Sequence, residues 1–202
     1  MAKKKKILLL SDDLRMSSGI ATMSKALVMG TVDKYDWFQI GAAINHPDKG
    51  KVLDLSDDTR KRTGIEDASV KIIPWNGYGN ADLLRQVMNQ EKPDAILHFT
   101  DPRYWTWLYD MEHEIRENCP ILYYTIWDDL PDPLYNRNYY ESCDWLGAIS
   151  RQTYGIVSRL TSLDDKPTYK PHSDWQVSYV PHGINQNEFK PTEVPAEFRK
   201  QI

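Results

Sequence analysis

The sequence predicts an α/β protein with a doubly wound, mostly parallel sheet. Short apolar runs alternate along the chain with amphipathic stretches of helical length, which is the pattern of a parallel sheet covered by helices. The first run, from Ile7 to Leu10, is unbroken, as expected of a strand buried on both faces. No internal repeat is visible. The predicted order is β-α-β-β-α-β-α-β-α-β-α-β, a Rossmann-like sheet.

The individual elements follow from periodicity and from helix breakers. Apolar runs predict strands at 6–11, 37–44, 70–74, 95–99, 121–126, 145–149 and 175–180. Amphipathic stretches predict helices at 19–32, 80–90, 104–117, 134–142 and 151–160. Ile20, Met23 and Leu27 fall on one face of the first helix, and Pro93 terminates the second. The polar segments 48–67 and 162–174 are predicted to be a surface excursion and a loop.

Composition and charge limit the classes of function. A length of 202 residues suits one large domain or two small ones, and the 41% apolar fraction is that of an ordinary globular protein. The net charge of −4 argues against a broad nucleic-acid footprint, although a local basic patch stays open. Cys119 and Cys143 have no metal-ligand spacing and are predicted to be reduced core thiols, which indicates a cytoplasmic protein.

The lysines at 3–6 precede only four apolar residues, too few for a signal-peptide core or a membrane span. We expect a solvated lysine tail that leads into a buried strand, and no membrane span.

Ligands of doubly wound sheets bind outside the carboxyl ends of the strands. This rule selects five loops, at 11–19, 100–103, 127–132, 150–151 and 182–185. In the first loop, Gly19 permits close approach of a backbone, and the amides at a helix N-terminus attract phosphate. Ser18 is alternatively an N-cap without further function.

The next loops each allow a functional and a structural interpretation. Asp101 and Arg103 are placed to contact a substrate, or Asp101 caps a helix with Pro102 in first position. Asp128 and its neighbour Asp129 could serve acid–base chemistry, or one of them caps a short helix.

Ser150 is fully explained as an N-cap. His98 within its strand, and the aromatic residues at 104–109, are predicted to belong to the core.

Four segments, taken in order, resemble the N-terminal domain of GT-B glycosyltransferases of family 4. The most specific is Pro-His-Gly-Ile-Asn at 181–185, followed by Phe-Lys-Pro at 189–191, where His182 and Asn185 replace the commoner Asn and Asp. Ser-Gly-Ile-Ala at 18–21 resembles the glycine loop of that family, and Ala-Ile-Ser at 148–150 its strand end. Thr-Ile-Trp-Asp at 125–128 resembles its Thr-hydrophobic-His-Asp segment, with Trp127 at the histidine position.

The resemblance implies a division of labour between two domains. Residues 1–190 would form the Rossmann-like, acceptor-side domain, and 191–202 would begin the linker to a C-terminal donor domain that this sequence lacks. The implied reaction transfers a sugar, with retention, from a nucleoside-diphosphate sugar to a hydroxyl acceptor of unknown class. No cofactor or divalent metal is implied.

The resemblance also assigns roles to the strand ends. Ser18 and Gly19 would contact the donor diphosphate, while Trp127 and Asp128 would lie at the reacting centre. The acceptor side of the cleft would be lined by Asp101, Arg103, Ser150, His182 and Asn185.

The Glu-x(7)-Glu element and the basic diphosphate ligands of the family are not in this sequence, so these 202 residues are expected to be inactive alone. Two alternatives remain. One is a non-catalytic binding domain or one subunit of a split transferase. The other is a sugar-nucleotide epimerase of the same architecture.

Overall fold

The computed structural model describes residues 3–162, 174–186, 189–191, 193 and 197. Within them, eight strands form a single sheet. In chain order the strands are β1 (Lys5–Asp12), β2 (Tyr35–Ala42), β3 (Leu53–Asp54), β4 (Val70–Pro74), β5 (Ala95–Phe99), β6 (Ile121–Thr125), β7 (Trp145–Ala148) and β8 (Val177–Tyr179). Their order in the sheet is β3-β4-β2-β1-β5-β6-β7-β8, and only the β3–β4 pair is antiparallel. The protein therefore has the predicted doubly wound, mostly parallel Rossmann-like sheet.

The connections contain seven α-helices in the described chain. They are α1 (Gly19–Met29), α2 (Ser56–Thr63), α3 (Ala81–Glu91), α4 (Thr106–Asp110), α5 (Glu112–Arg116), α6 (Arg137–Glu141) and α7 (Arg151–Thr161). Short 3₁₀ turns occupy Pro102–Tyr104, Leu134–Asn136 and Asp174–Gln176.

The predicted surface excursion at 48–67 is wrong in detail, because it contains β3 and α2. Helix α2 carries Asp57, Asp58 and three basic residues, and the pairs Asp57–Arg60 and Asp58–Arg62 bridge successive turns. Gly64 ends the helix with a φ of 72°. A polar helix of this kind lacks the apolar stripe by which a helix is recognised in a sequence.

The predicted helix at 104–117 is interrupted. Trp105 and Met111 have ψ values of 26° and 18°, outside the helical range, so a 3₁₀ turn, α4 and α5 follow one another. Elsewhere the corrections are small. The first helix ends at Met29 with Gly30 as its C-cap, and β2 ends at Ala42 because Ala43 has a φ of 60°. The last strand is only Val177–Tyr179, and most of the predicted loop at 162–174 lies outside the described residues.

The two faces of the sheet are covered unequally. Leu8, Leu10 and Ile96 point to one face and form a large core with apolar residues of α3, α4, α5, α6 and α7. Leu9 and Leu97 point to the other face, where α1 and the residues that flank α2 cover only part of the sheet. Cys119 and Cys143 are buried free thiols, as predicted.

The lysines of the N-terminal segment are in part solvated, as expected, since Lys3 is exposed and the Lys5 side chain is 71% exposed, but three of them also form ion pairs. Lys4 pairs with Asp67 at 2.7 Å, Lys5 with Asp94 at 2.6 Å, and Lys6 with Glu91 at 2.7 Å. These ion pairs hold the start of β1 against the amino edge of the sheet, opposite to the edge where ligands of such folds bind.

Candidate functional site

The order of the strands places a crevice between the carboxyl ends of β1 and β5. From β1 the chain moves outward through β2 to β4, and it then crosses back to β5 on the other side of β1. Ligands of doubly wound sheets bind at this point of reversal. The loops that meet there are the ones after Asp12 and after Phe99.

On the β5 side, Asp101 holds Arg103 in a fixed orientation. The Asp101 carboxylate accepts the Arg103 backbone N–H at 2.9 Å, Nε–H at 3.0 Å and Nη2–H at 2.6 Å. Asp101 is thus the N-cap of the 3₁₀ turn that begins at Pro102, as the structural interpretation predicted, and it also anchors the guanidinium.

Burial acts to raise the pKa of Asp101, but the hydrogen bonds from Arg103 more than offset it and the pKa lies below its usual value. The same bonds keep the pKa of Arg103 above its usual range. The guanidinium and the carboxylate are therefore both charged at neutral pH.

Trp127, at the end of β6, is a platform for this arginine. The Arg103 guanidinium lies 5.0 Å from the centre of the Trp127 ring, and Tyr135 packs edge-on to the same indole at 5.7 Å. Trp127 also packs against the core on the α3 side of the sheet. An indole does not exchange protons near neutral pH, so Trp127 orients Arg103 rather than acting as an acid or base.

On the β1 side, Ser18 is the N-cap of α1. Its Oγ accepts the Ala21 N–H at 3.0 Å and donates to Asp12 Oδ2 at 2.7 Å. The hydroxyl is therefore occupied, and any contact of this loop with phosphate would depend on the amides that follow Ser18. Gly19 is exposed and no atom lies within 4 Å of the position that a Cβ would take there, so its backbone is open to approach.

Tyr78 is a site residue that the sequence analysis missed. It lies in the loop after β4, stacks on Tyr104 with 4.6 Å between ring centres and 10° between planes, and is flanked by Gly77 and Gly79 with φ of 84° and 77°. Burial raises the pKa of Tyr78, and the charge of Asp12 acts in the same direction. The Gly-Tyr-Gly sequence could have indicated this residue. Glycine readily adopts positive φ, so two glycines that flank a tyrosine indicate a tight turn that carries the tyrosine side chain.

Asp128 and Ser150 occupy the neighbouring strand ends. Asp128 and Asp129 are both exposed, and the backbone carbonyl of Asp128 accepts a hydrogen bond from the Gln152 amide. Ser150 caps α7 by accepting the Thr153 N–H at 3.0 Å, as predicted.

His182 and Asn185 lie on the opposite face from Trp127. The His182 ring packs edge-on to Phe99 at 5.9 Å and against Tyr124 at 5.5 Å, and burial lowers its pKa. Both partners belong to the core on the α1 side of the sheet. The structure therefore brings Asp101, Arg103 and Trp127 together and places His182 on the other face of the sheet. Residues 187–188 of the predicted tail signature lie outside the described chain.

An apolar groove of about 760 Å³ runs along this second face. Its floor is formed by side chains of β5, β6 and β7, such as Leu97, Leu122 and Trp145. Helix α1 forms one wall, and the segment from Val180 to Asn185 forms the other. Ile184 at its rim is 73% exposed, as is Phe189 further along the chain.

Among the described residues, no group of three or more His, Cys, Asp and Glu side chains is placed to hold a metal ion. The helices of this part of the chain include none that is both long enough and apolar enough to cross a bilayer. Comparisons with known protein families and with curated proteins return no match. The functional argument therefore depends on the geometry at the carboxyl edge of the sheet.

Proposed function

We propose that this chain is the acceptor-side domain of a retaining glycosyltransferase, which moves a sugar from a nucleoside-diphosphate sugar to a hydroxyl acceptor. The observation that carries the proposal is the set of groups at the β1/β5 crevice. A guanidinium fixed by Asp101 and supported by Trp127 lies on the same edge as the stacked Tyr78 and Tyr104.

These groups match the chemistry of a sugar. A sugar ring presents C–H faces to aromatic rings and hydroxyls to fixed donors and acceptors, and few polar groups are needed to orient a ligand in a site of this kind. Tyr104 is 56% exposed, so the outer face of the stacked pair is accessible. The hydrogen bonds from Arg103 to Asp101 already hold the Arg103 side chain in one orientation. Ligand binding therefore loses little side-chain entropy at this residue.

In the proposed reaction, the acceptor hydroxyl oxygen bonds to the anomeric carbon, the bond from that carbon to the diphosphate breaks, and the hydroxyl proton is lost. We assign the exposed Asp128 carboxylate as the general base that accepts this proton. The first amides of α1, at Gly19, would face the diphosphate, and the donor would bind mainly through a second domain.

Acceptor binding tests the proposal directly. We expect at least one member of a panel of mono- and disaccharides to give a saturable signal in saturation-transfer NMR with this chain. Tyr104→Ala removes the exposed ring and should weaken that binding at least about fivefold. Tyr154→Ala, which removes an equally polar ring from α7, should leave the binding unchanged. The proposal fails if no carbohydrate binds, or if both variants bind like the parent.

The division into two domains is tested separately by turnover. Nucleoside-diphosphate sugars and the bound acceptor should give no product with these residues alone, and product formation would contradict the assigned division. The reading frame beyond Ile202 should encode a second Rossmann-like domain with a Glu-x(7)-Glu element.

A second candidate function is a non-catalytic binding domain or one subunit of a split transferase. The apolar groove favours it, because a concave, mostly apolar surface is a common place for a ligand or a partner protein to bind. Light scattering coupled to size exclusion separates the two candidates. A defined dimer that binds carbohydrate but yields no transfer, even with the product of the extended frame, would support the second.

A further inference from the structure

Asp12 is the last residue of β1, and its carboxylate has no cation beside it. The strand that it ends lies between β2 and β5 in the sheet. The Asp12 side chain is partly buried, and its Oδ2 accepts the Ser18 hydroxyl at 2.7 Å. Within the described chain, Asp12 forms no ion pair and its Oδ1 accepts no hydrogen bond. One hydroxyl is therefore the only polar partner of this carboxylate among the described residues.

Two other carboxylates at the same edge of the sheet each have an arginine. Asp13 accepts from Arg15 Nη2 at 2.7 Å, and Asp101 accepts from Arg103 Nη2 at 2.6 Å. These pairs balance two negative charges at the ends of β1 and β5 and leave the charge of Asp12. A carboxylate that is partly shielded from water attracts a cationic group more strongly than one on an open surface.

Backbone contacts bring Tyr78 next to the end of β1. In the β1–β2 ladder Asp12 is paired with Ala42, and the following residue, Ala43, donates its N–H to the Gly77 carbonyl at 2.8 Å. Tyr78 comes directly after Gly77. Side chains alternate along a strand, so Asp12 points to the α3 side of the sheet, where the Tyr78 ring also packs.

The crevice therefore presents aromatic rings beside a carboxylate. Burial is the main cause of the raised pKa of Tyr78, and the negative charges of Asp12 and Asp101 act in the same direction. Tyr104, which stacks on Tyr78, is 56% exposed. Carboxylates and aromatic faces both attract cations, so this combination suits a ring that carries an ammonium group.

We propose that Asp12 binds the ammonium group of an amino-sugar acceptor whose ring lies on Tyr104. This inference deepens the proposed function, on which it rests for its role, by naming the class of the acceptor. The ammonium group donates to Asp12 Oδ1, while the Ser18 hydroxyl holds Oδ2. The amino group serves for binding only, and a hydroxyl of the same sugar remains the nucleophile.

Glucosamine, glucose and N-acetylglucosamine are matched probes, because they share a ring and differ in charge at one ring position. Their binding is compared by saturation-transfer NMR at a mildly acidic pH, where the amine of glucosamine is protonated. We expect the parent chain to bind glucosamine at least about fivefold more tightly than either neutral sugar, because a charge-assisted hydrogen bond is added. This preference should shrink as the ionic strength rises.

Asp12→Asn removes the charge and keeps the size and an acceptor for the Ser18 hydroxyl. This variant should bind glucosamine and glucose equally. Asp48→Asn is the matched control, since Asp48 is an exposed carboxylate of the same edge that already accepts from Lys51 Nζ at 2.9 Å. It should keep the preference of the parent. A preference that survives in Asp12→Asn, or that is lost equally in both variants, would overturn the assignment to Asp12.

A measurement on the parent chain makes the test independent of how the variant folds. The ¹³C signal of the Asp12 carboxylate should shift in a saturable way with glucosamine, and by much less with glucose. Equal shifts with the two sugars would contradict the proposal.

Methylammonium separates this inference from the proposed function, because it carries the charge without the sugar. Carbohydrate binding with no preference for glucosamine would overturn the amino-sugar class and leave the proposed function standing. A methylammonium response that depends on Asp12, without any carbohydrate binding, would sink the proposed function and leave Asp12 as a cation-binding residue.

Discussion

His98 is a buried titratable residue outside the candidate site. It lies in β5 with Nδ1 2.6 Å from the Tyr109 hydroxyl, and its ring stacks on Tyr123 at 4.8 Å between centres. Within the described chain, Nε2 is buried without a hydrogen-bond partner. Burial lowers the pKa of His98 from 6.5 to about 3, because the charged form would lose its hydration there.

This lowered pKa makes the stability of the fold depend on pH in mild acid. The unfolded chain binds a proton at His98 below about pH 6.5, whereas the folded chain does so only near pH 3. The contribution of His98 is therefore complete above the unfolded value and is lost as the pH falls through this window. We expect the free energy of unfolding to fall by about 1.4 kcal/mol for each pH unit below 6.5.

Urea unfolding of the parent and of His98→Phe at about pH 7 and about pH 5.5 measures the effect. The variant should lose less stability between the two pH values than the parent. His113→Gln is the control, because His113 is 93% exposed and its replacement should keep the slope of the parent. An unchanged slope in His98→Phe would show that another group is responsible.

The elements that the sequence predicted are the ones whose apolar residues recur at a strand or helix period. The strands β1, β2, β4, β5, β6 and β7 were found in this way, because each is buried on both faces over most of its length. Strand β3 has two residues, and α2 is stabilised by ion pairs between its own turns, so neither has a periodic apolar pattern.

The same distinction applies to the site. Ser18, Asp101 and Ser150 were identified as caps because capping is local in sequence. Tyr78 was not identified, since its partner Tyr104 comes from a different strand end. The two rings meet only because β4 and β5 both end at the carboxyl edge of the same sheet.

Helix α7 offers a test of the cap. Its buried residues Ile156, Val157 and Leu160 hold it against the core, and Ser150 closes its first turn. Ser150→Ala should lower the free energy of unfolding by about 1 kcal/mol, and Ser150→Asp should restore it. Ser17→Ala, an exposed serine just before the cap of α1, should be neutral. Loss of carbohydrate binding in Ser150→Asp at full stability would contradict a purely structural role.

At the scale of the whole molecule, the direction of the crossovers explains the uncovered face. Parallel crossovers are right-handed, so a chain that moves one way along the sheet places its helices on one face, and a chain that moves the other way places them on the opposite face. Among the helices of the described chain, α1, on the path from β1 to β2, is the one that lies on the second face beside β5. The paths from β4 to β8 lay theirs on the first face.

The groove that results should bind an apolar dye. We expect the native chain to enhance the fluorescence of anilinonaphthalene sulfonate, and Ile184→Ser to reduce this enhancement, because Ile184 lies at the rim. Val52→Ser removes an exposed branched side chain elsewhere, at 49% exposure, and is the control. Equal fluorescence in all three proteins would show that the groove is closed in solution.

Two pairs in which an aspartate holds the guanidinium two residues later, Asp13–Arg15 and Asp101–Arg103, also bear on the order in which the molecule folds; each such pair is called a fork here. Each fork closes over three residues, so its loop-closure entropy is small, whereas the β1–β5 ladder joins Ile7 to Ala95. Pairings between distant parts of a chain are slow to form. We therefore expect the orientation of both guanidiniums to be set within single turns, before the distant strands pair, and the distance between the two arginines to be set by that later pairing.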